Sequence, residues 1–173
     1  MNKHHERKES YSQRDDLTGE HKMGDTGQFI LAILFVTIWL SDTFILEYTT
    51  LLNHIIPNAI RIPLGIIFLL VSSYLAGKGL HIVFGEKREE PGVIRKSVFT
   101  VVRHPIYLSE ILLYLGLLMI SLSLAATFIL FIVIWFLHHI SKHEERLLLE
   151  RFGDEYKQYI RDVPMWIPSL WKR

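Results

Sequence analysis

Residues 105–140 read PIYLSEILLYLGLLMISLSLAATFILFIVIWFLHHI, 36 positions with a single charge, Glu110. A helix crosses the hydrocarbon core of a bilayer with roughly 20 apolar residues. This run is too long for one crossing and about right for two. The small polar cluster Ser121-Leu122-Ser123 near its middle is the natural place for a tight turn. The pattern predicts a hairpin of membrane helices near 105–120 and 123–141.

Two further apolar runs lie upstream. Residues 29–46 read FILAILFVTIWLSDTFIL with one charge, Asp42, and residues 62–84 read IPLGIIFLLVSSYLAGKGLHIVF with one charge, Lys78. Each suits a single crossing, near 28–48 and 60–84. The expected fold is an all-α integral membrane protein with about four transmembrane helices. The composition agrees. Of 173 residues, 50% are hydrophobic and 21% charged, and the mean hydropathy is +0.24. These values are compatible only if charged and apolar residues are segregated along the chain. Disorder is excluded by the apolar fraction. The lack of cysteine excludes disulfides, thiol catalysis and cysteine-ligated zinc. A formal net charge of +1 gives no reason to expect a nucleic acid partner.

The basic residues sort by segment. Lys and Arg number five in 1–27, one in 49–61, five in 85–104, none in the 121–123 turn and seven in 141–173. An even number of crossings gathers nearly all of them on one side, which the positive-inside rule makes cytoplasmic. Both termini are therefore expected in the cytoplasm. The first 27 residues lack an apolar core and do not read as a cleavable signal peptide, so the first span reads as a retained anchor. His4 and His5 read as solvated tail residues. The chain divides into a polar cytoplasmic tail (1–27), a two-helix membrane anchor hairpin (28–91) and a C-terminal region (92–173).

Beyond the last span, residues 142–161 read KHEERLLLERFGDEYKQYIR. Apolar positions 148, 152, 156, 159 and 160 recur at helical spacing, and charges of both signs occupy the rest. This predicts a cytoplasmic C-terminal amphipathic helix along the membrane face, interrupted at Gly153 with Asp154 as a cap. Pro164 and Pro168 end regular structure. Trp166 and Trp171 with Lys172 and Arg173 read as headgroup-level anchors.

Ionisable groups at membrane depth are costly and mark protein interiors or aqueous pathways. Pro105 suits the first turn of a helix, which places Glu110 roughly 7.5 Å into the third span. Tyr107, Glu110 and Tyr114 then share one face. A purely structural alternative pairs Glu110 with Arg103 or Lys78. His138 and His139 lie at the end of the fourth span, where histidines also interact with the helix dipole. Trp135, His138, Lys142 and Glu145 share a face. His138 and Glu145 are two turns apart, roughly 10.5 Å, too far to bind one metal ion. Lys78 and His81 can snorkel. Asp42 has no evident role.

RHPIYLSE at 103–110, then Gly116, then HEERLLLERFGDEYKQYIRDVPMWIP at 143–168 resemble the isoprenylcysteine carboxyl methyltransferase family, whose outline is shared by phospholipid N-methyltransferases. The resemblance covers about residues 92–168. It implies an integral membrane enzyme that binds S-adenosylmethionine in a cytosol-facing pocket and takes its acceptor from the bilayer. Carried over, His104, Pro105 and Tyr107 lie along the cofactor, Glu110 and Gly116 shape the pocket wall, and Glu144 and Glu145 are the paired glutamates. Two positions depart from the family: His138 falls near a family arginine, and Ser97-Val98-Phe99 replaces a Gly-Pro-Tyr stretch. The residue chemistry agrees. Carboxylates accept hydrogen bonds from hydroxyl and ammonium groups, Arg103 suits a cofactor carboxylate, and aromatic faces suit adenine or a sulfonium. A carboxylate acceptor needs a cation, Arg103 or protonated His138, whereas an amine acceptor needs a base, His138 or Glu145. The expected catalytic set is Arg103, His138 and Glu145, with no metal. The partners are the bilayer and a membrane lipid or prenylated acceptor.

Two alternatives stand beside this reading. RHPIYLSE also resembles the NADPH-dependent sterol and steroid reductases of membranes. A non-catalytic helical membrane protein would use the same polar residues for packing alone.

Overall fold

The computed structural model describes residues 22–86 and 92–168. His4, His5, Lys87, Arg88, Trp171, Lys172 and Arg173, and most of the N-terminal tail, lie outside the described residues. Among the described residues four α-helices carry the fold: α1 (Lys22–Ser41), α2 (Asn58–Leu80), α3 (Pro105–Ser121) and α4 (Leu124–Asp162). Short π-helical turns prolong α1 over Asp42–Leu46 and α2 over His81–Gly85. There is no strand among the described residues. The helices near α1, α2 and α4 are long and apolar enough to cross a membrane, and α3 is a shorter apolar helix. The surface fits lipid contact: Phe29, Ile33, Ile66, Leu70, Phe128 and Phe131 are all more than half exposed on it.

The hairpin turn falls where the sequence places it. Leu122, in the left-handed region at φ 44°, ends α3, and the Ser123 hydroxyl caps α4 by accepting from the Ala126 N–H. Asp42 acquires a role here. Its carboxylate accepts from the Ser123 hydroxyl at 2.5 Å, from the Thr49 N–H at 3.1 Å and from the Thr49 hydroxyl. One buried side chain thus ties the end of α1 and the following loop to the cap of α4.

The anchor helices do not pack mainly on each other. Close backbone approaches join α2 to α3 and α1 to α4. The reason is a row of small or interdigitating side chains on α2. Arg61 donates to the Ile120 carbonyl at 2.7 Å, Gly65 lies against Gly116, and the Ser72 hydroxyl donates to the Ser109 carbonyl at 2.7 Å. Residue numbers rise along one helix as they fall along the other, the register of an antiparallel pair in which small residues let backbones close. Helix α1 instead puts Phe35 and Trp39 against Tyr114 and Leu118 of α3 and Ala126, Leu130 and Val133 of α4.

Helix α4 runs unbroken from Leu124 to Phe152, about 43 Å, which exceeds the roughly 30 Å hydrocarbon core. Its last turns therefore project beyond the membrane, and the amphipathic segment is continuous with the span rather than a separate surface helix. At Gly153 the backbone takes φ 52° and ψ −122°, a conformation that glycine tolerates and other residues resist. Residues 154–162 turn back there. Tyr156, Tyr159 and Val163 bury against Val93, Leu148 and Phe152, so the apolar stripe is spent on protein rather than on lipid. The Tyr159 hydroxyl donates to the Phe99 carbonyl at 2.7 Å. Arg95 donates to the Glu155 carbonyl at 3.0 Å and lies 3.5 Å from Asp162.

Candidate functional site

The Arg-His-Pro turn before α3 and the twin glutamates of α4 meet at one end of the bundle. Arg103 Nε donates to Glu145 Oε1 at 2.7 Å, and both side chains are almost fully buried. Arg103 Nη1 donates to the Ile160 carbonyl at 3.0 Å and to the Val163 carbonyl at 2.5 Å, while its backbone N–H donates to the Pro164 carbonyl at 2.9 Å. The guanidinium therefore clamps three elements: the turn it belongs to, α4, and the segment that folds back after Gly153. Sequence analysis expects Arg103 to meet a cofactor carboxylate; within the chain its side chain holds Glu145.

His104 sits at the centre. Its Nε2 lies 3.3 Å from Glu145 Oε1 and its Nδ1 lies 3.7 Å from Glu144 Oε2. Its ring stacks on Tyr107, centroids 5.7 Å apart and nearly parallel, and tilts against Trp166 at 5.8 Å. The Tyr107 hydroxyl donates to Glu144. Burial holds the His104 imidazole below its ordinary pKa, outweighing the pull of Glu145; Nε2 faces a carboxylate, which only accepts, so Nε2 is the donor of that contact. Burial alone would push Glu145 up. The hydrogen bonds from His104 and Arg103, with the charge of Arg103, reverse this and hold its carboxyl at about 2. Lys142 reaches the other oxygen, Glu145 Oε2, at 3.2 Å from an exposed position. Pro105 is fully buried beneath His104 as the first residue of α3.

The remaining expected residues fall at increasing distance. His138 is exposed, yet its Nδ1 accepts from Trp166 Nε1 at 3.4 Å, which links it to the cluster through the indole. His139 turns away to Trp135, with centroids 4.3 Å apart. Glu110 lies one turn beyond Tyr107 and accepts from the Tyr114 hydroxyl at 2.8 Å; neither Arg103 nor Lys78 pairs with it. Gly116 is not brought to the cluster. It lies 12 residues from His104, about 18 Å along α3, in the α2–α3 contact. A Cβ there would meet Leu69 Cγ at 2.7 Å.

Two contributors escape sequence reading. Trp166, expected as a headgroup anchor, tilts against the His104 ring; its bracketing prolines, Pro164 and Pro168, were the available signal. Ser141, fully buried one turn before Glu145, has a hydroxyl without a hydrogen-bond partner. Nothing in its local sequence marks it.

The arrangement is an acceptor-rich pair of carboxylates walled by three rings, at the end of a bundle with a lipid-like surface. Comparison with known proteins bears on it directly. Residues 58–155, more than half of the chain, match the phospholipid methyltransferase family. A Schizosaccharomyces pombe protein-S-isoprenylcysteine O-methyltransferase is 29% identical over 112 residues, covering 60% of this chain and 48% of that protein. The chain thus spans about half the length of this curated relative. No solved structure matches significantly. The matched residues include α2, α3, the Arg-His-Pro turn and both glutamates, and the chain belongs to the phospholipid methyltransferase family.

Proposed function

We propose that this protein is an S-adenosylmethionine-dependent membrane methyltransferase acting on a lipid-borne acceptor, a prenylcysteine-like carboxylate or a lipid amine. The observation that carries the reading is the convergence of Arg103, His104 and Tyr107 with Glu144 and Glu145, side chains some 40 residues apart in sequence, under the Trp166 ring.

The donor set suits the cofactor. Glu144 and Glu145 can accept hydrogen bonds from ribose hydroxyls or an ammonium group. Tyr107, His104 and Trp166 offer faces for adenine or a sulfonium. When bound, the cofactor supplies an electrophilic methyl group on sulfur. His104, Pro105, Tyr107, Glu144 and Glu145 would hold it. Arg103 positions Glu145, and His138 positions Trp166. Alignment and exclusion of water are the main contributions that residues of this kind make to such a displacement. We infer that both termini are cytoplasmic, because an even number of crossings gathers most of the basic residues of the sequence on one side.

The test is ligand binding to the purified chain in detergent. S-adenosylmethionine is expected to raise the thermal midpoint, and NADPH to leave it unchanged. Glu145→Ala and His104→Ala are expected to weaken the cofactor effect about tenfold or more while membrane insertion persists. Stabilisation by NADPH instead would favour the reductase alternative, and no response to either ligand would favour a non-catalytic membrane protein. Incubation with membrane extract and methyl-labelled cofactor then identifies the acceptor as whichever lipid gains the label.

A further inference from the structure

The cluster above leaves Glu110 unused. Its carboxyl accepts from one neutral donor, the Tyr114 hydroxyl, and it has no cationic partner among the described residues. Its place on α3 is distinctive. Leu113, three residues on, is 41% exposed on the bilayer-facing side, whereas Tyr114, four residues on, is 3% exposed in the core. Glu110 therefore stands on the seam between the lipid-facing and inward faces of the helix. On the inward side, Tyr107 lies about 4.5 Å back along the axis, and its hydroxyl already reaches Glu144. A lipid head that moved along this seam from the bilayer would pass Glu110 before it reached the glutamate pair. A carboxylate at membrane depth is relieved by a cation and opposed by a like charge.

We propose that Glu110 is an acceptor-recognition residue that admits a lipid bearing a cationic amine head in preference to a lipid carboxylate. The inference rests on the lipid-acceptor reading above and narrows it, reassigning Glu110 from the cofactor wall to the acceptor.

The test uses the full chain in nonionic detergent with dodecylamine and dodecanoate as probes, measuring equilibrium binding without turnover. The wild-type chain is expected to bind the amine at least about tenfold more tightly, the scale of one hydrogen bond to a charged group. Glu110→Gln is expected to lose that preference, since glutamine can still accept from Tyr114 but carries no charge. Glu150→Gln, at an exposed site on α4, keeps it. Equal binding of the two probes by wild type overturns the proposal even if the Glu110 variant does not fold, and so does unchanged amine binding by Glu110→Gln. Stabilisation by S-adenosylmethionine is measured in a separate arm. Its absence in wild type would overturn the methyltransferase reading, while its persistence in Glu110→Gln is expected because the residue serves the acceptor.

Discussion

Replacing Glu145 by glutamine keeps the side chain's shape and removes its charge. In the fold this carboxylate is the counter-ion of Arg103, with side-chain exposures of 5% and 7%. Its carboxyl is held at about 2 against an ordinary 4.5. That separation of about 2.5 pKa units corresponds to about 3 kcal/mol of native stability at neutral pH. Because the folded value lies below the unfolded one, this contribution is complete above pH 4.5 and is lost as pH falls toward 2. A second argument arrives at the same scale: removing one partner of a buried pair costs about 3–5 kcal/mol, since the other charge is left uncompensated. Glu145→Gln is therefore expected to lower the apparent unfolding free energy at pH 7 by about 3 kcal/mol, read by denaturing-detergent titration of the purified chain. Arg103→Met should cost a similar amount. The double variant Arg103→Met/Glu145→Gln should cost clearly less than the sum, because neither charge remains buried alone. Lys142→Met should change stability by less than about 1 kcal/mol, as its contact with Glu145 is half-exposed. A Glu145→Gln protein within about 0.5 kcal/mol of wild type, or strict additivity in the double variant, would refute the clamp.

Other expectations concern the same end of the molecule and the helix contacts. His104 is held below its ordinary value of 6.5, so the unfolded chain takes up its proton first; stability should fall as pH drops below about 6.5, and His104→Gln should flatten that slope in thermal melts taken between pH 7.5 and 5. Gly116→Ala would place a methyl group 2.7 Å from Leu69 Cγ and 3.1 Å from the Gly65 carbonyl. A cost of about 1–3 kcal/mol is expected by thermal unfolding, and a neutral result would mean that α2 and α3 are less tightly apposed. Gly153→Ala meets no neighbouring atom but forces alanine to φ 52° and ψ −122°. A backbone cost of about 1–3 kcal/mol should loosen residues 154–168, visible as faster proteolysis after residue 153; unchanged cleavage would argue against the bend.

The apolar runs, the Ser121–Ser123 turn and the break at Gly153 were legible because each is written in a few consecutive residues. Hydropathy, capping chemistry and left-handed backbone preference act within one or two helical turns. The site was legible as a set of residues through its resemblance, but its pairings were not. Arg103 reads equally well as a cofactor contact, a partner of Glu110 or a partner of Glu145. Asp42 had no sequence-level role because its donors, Thr49 and Ser123, stand on different elements. Gly116 looked like pocket wall, yet its lack of a side chain serves the approach of Gly65. Trp166 looked like a headgroup anchor because tryptophan is enriched at the membrane interface.

By itself, the sequence determined that four apolar helices form, where the hairpin turns and where the last helix breaks, since all of these follow from local apolarity and backbone preference. Only the tertiary structure decided which side chains meet. The antiparallel sliding of α2 against α3 and the fold-back beyond Gly153 set the rotation and depth of each helix. Those two quantities place a guanidinium against one carboxylate rather than another.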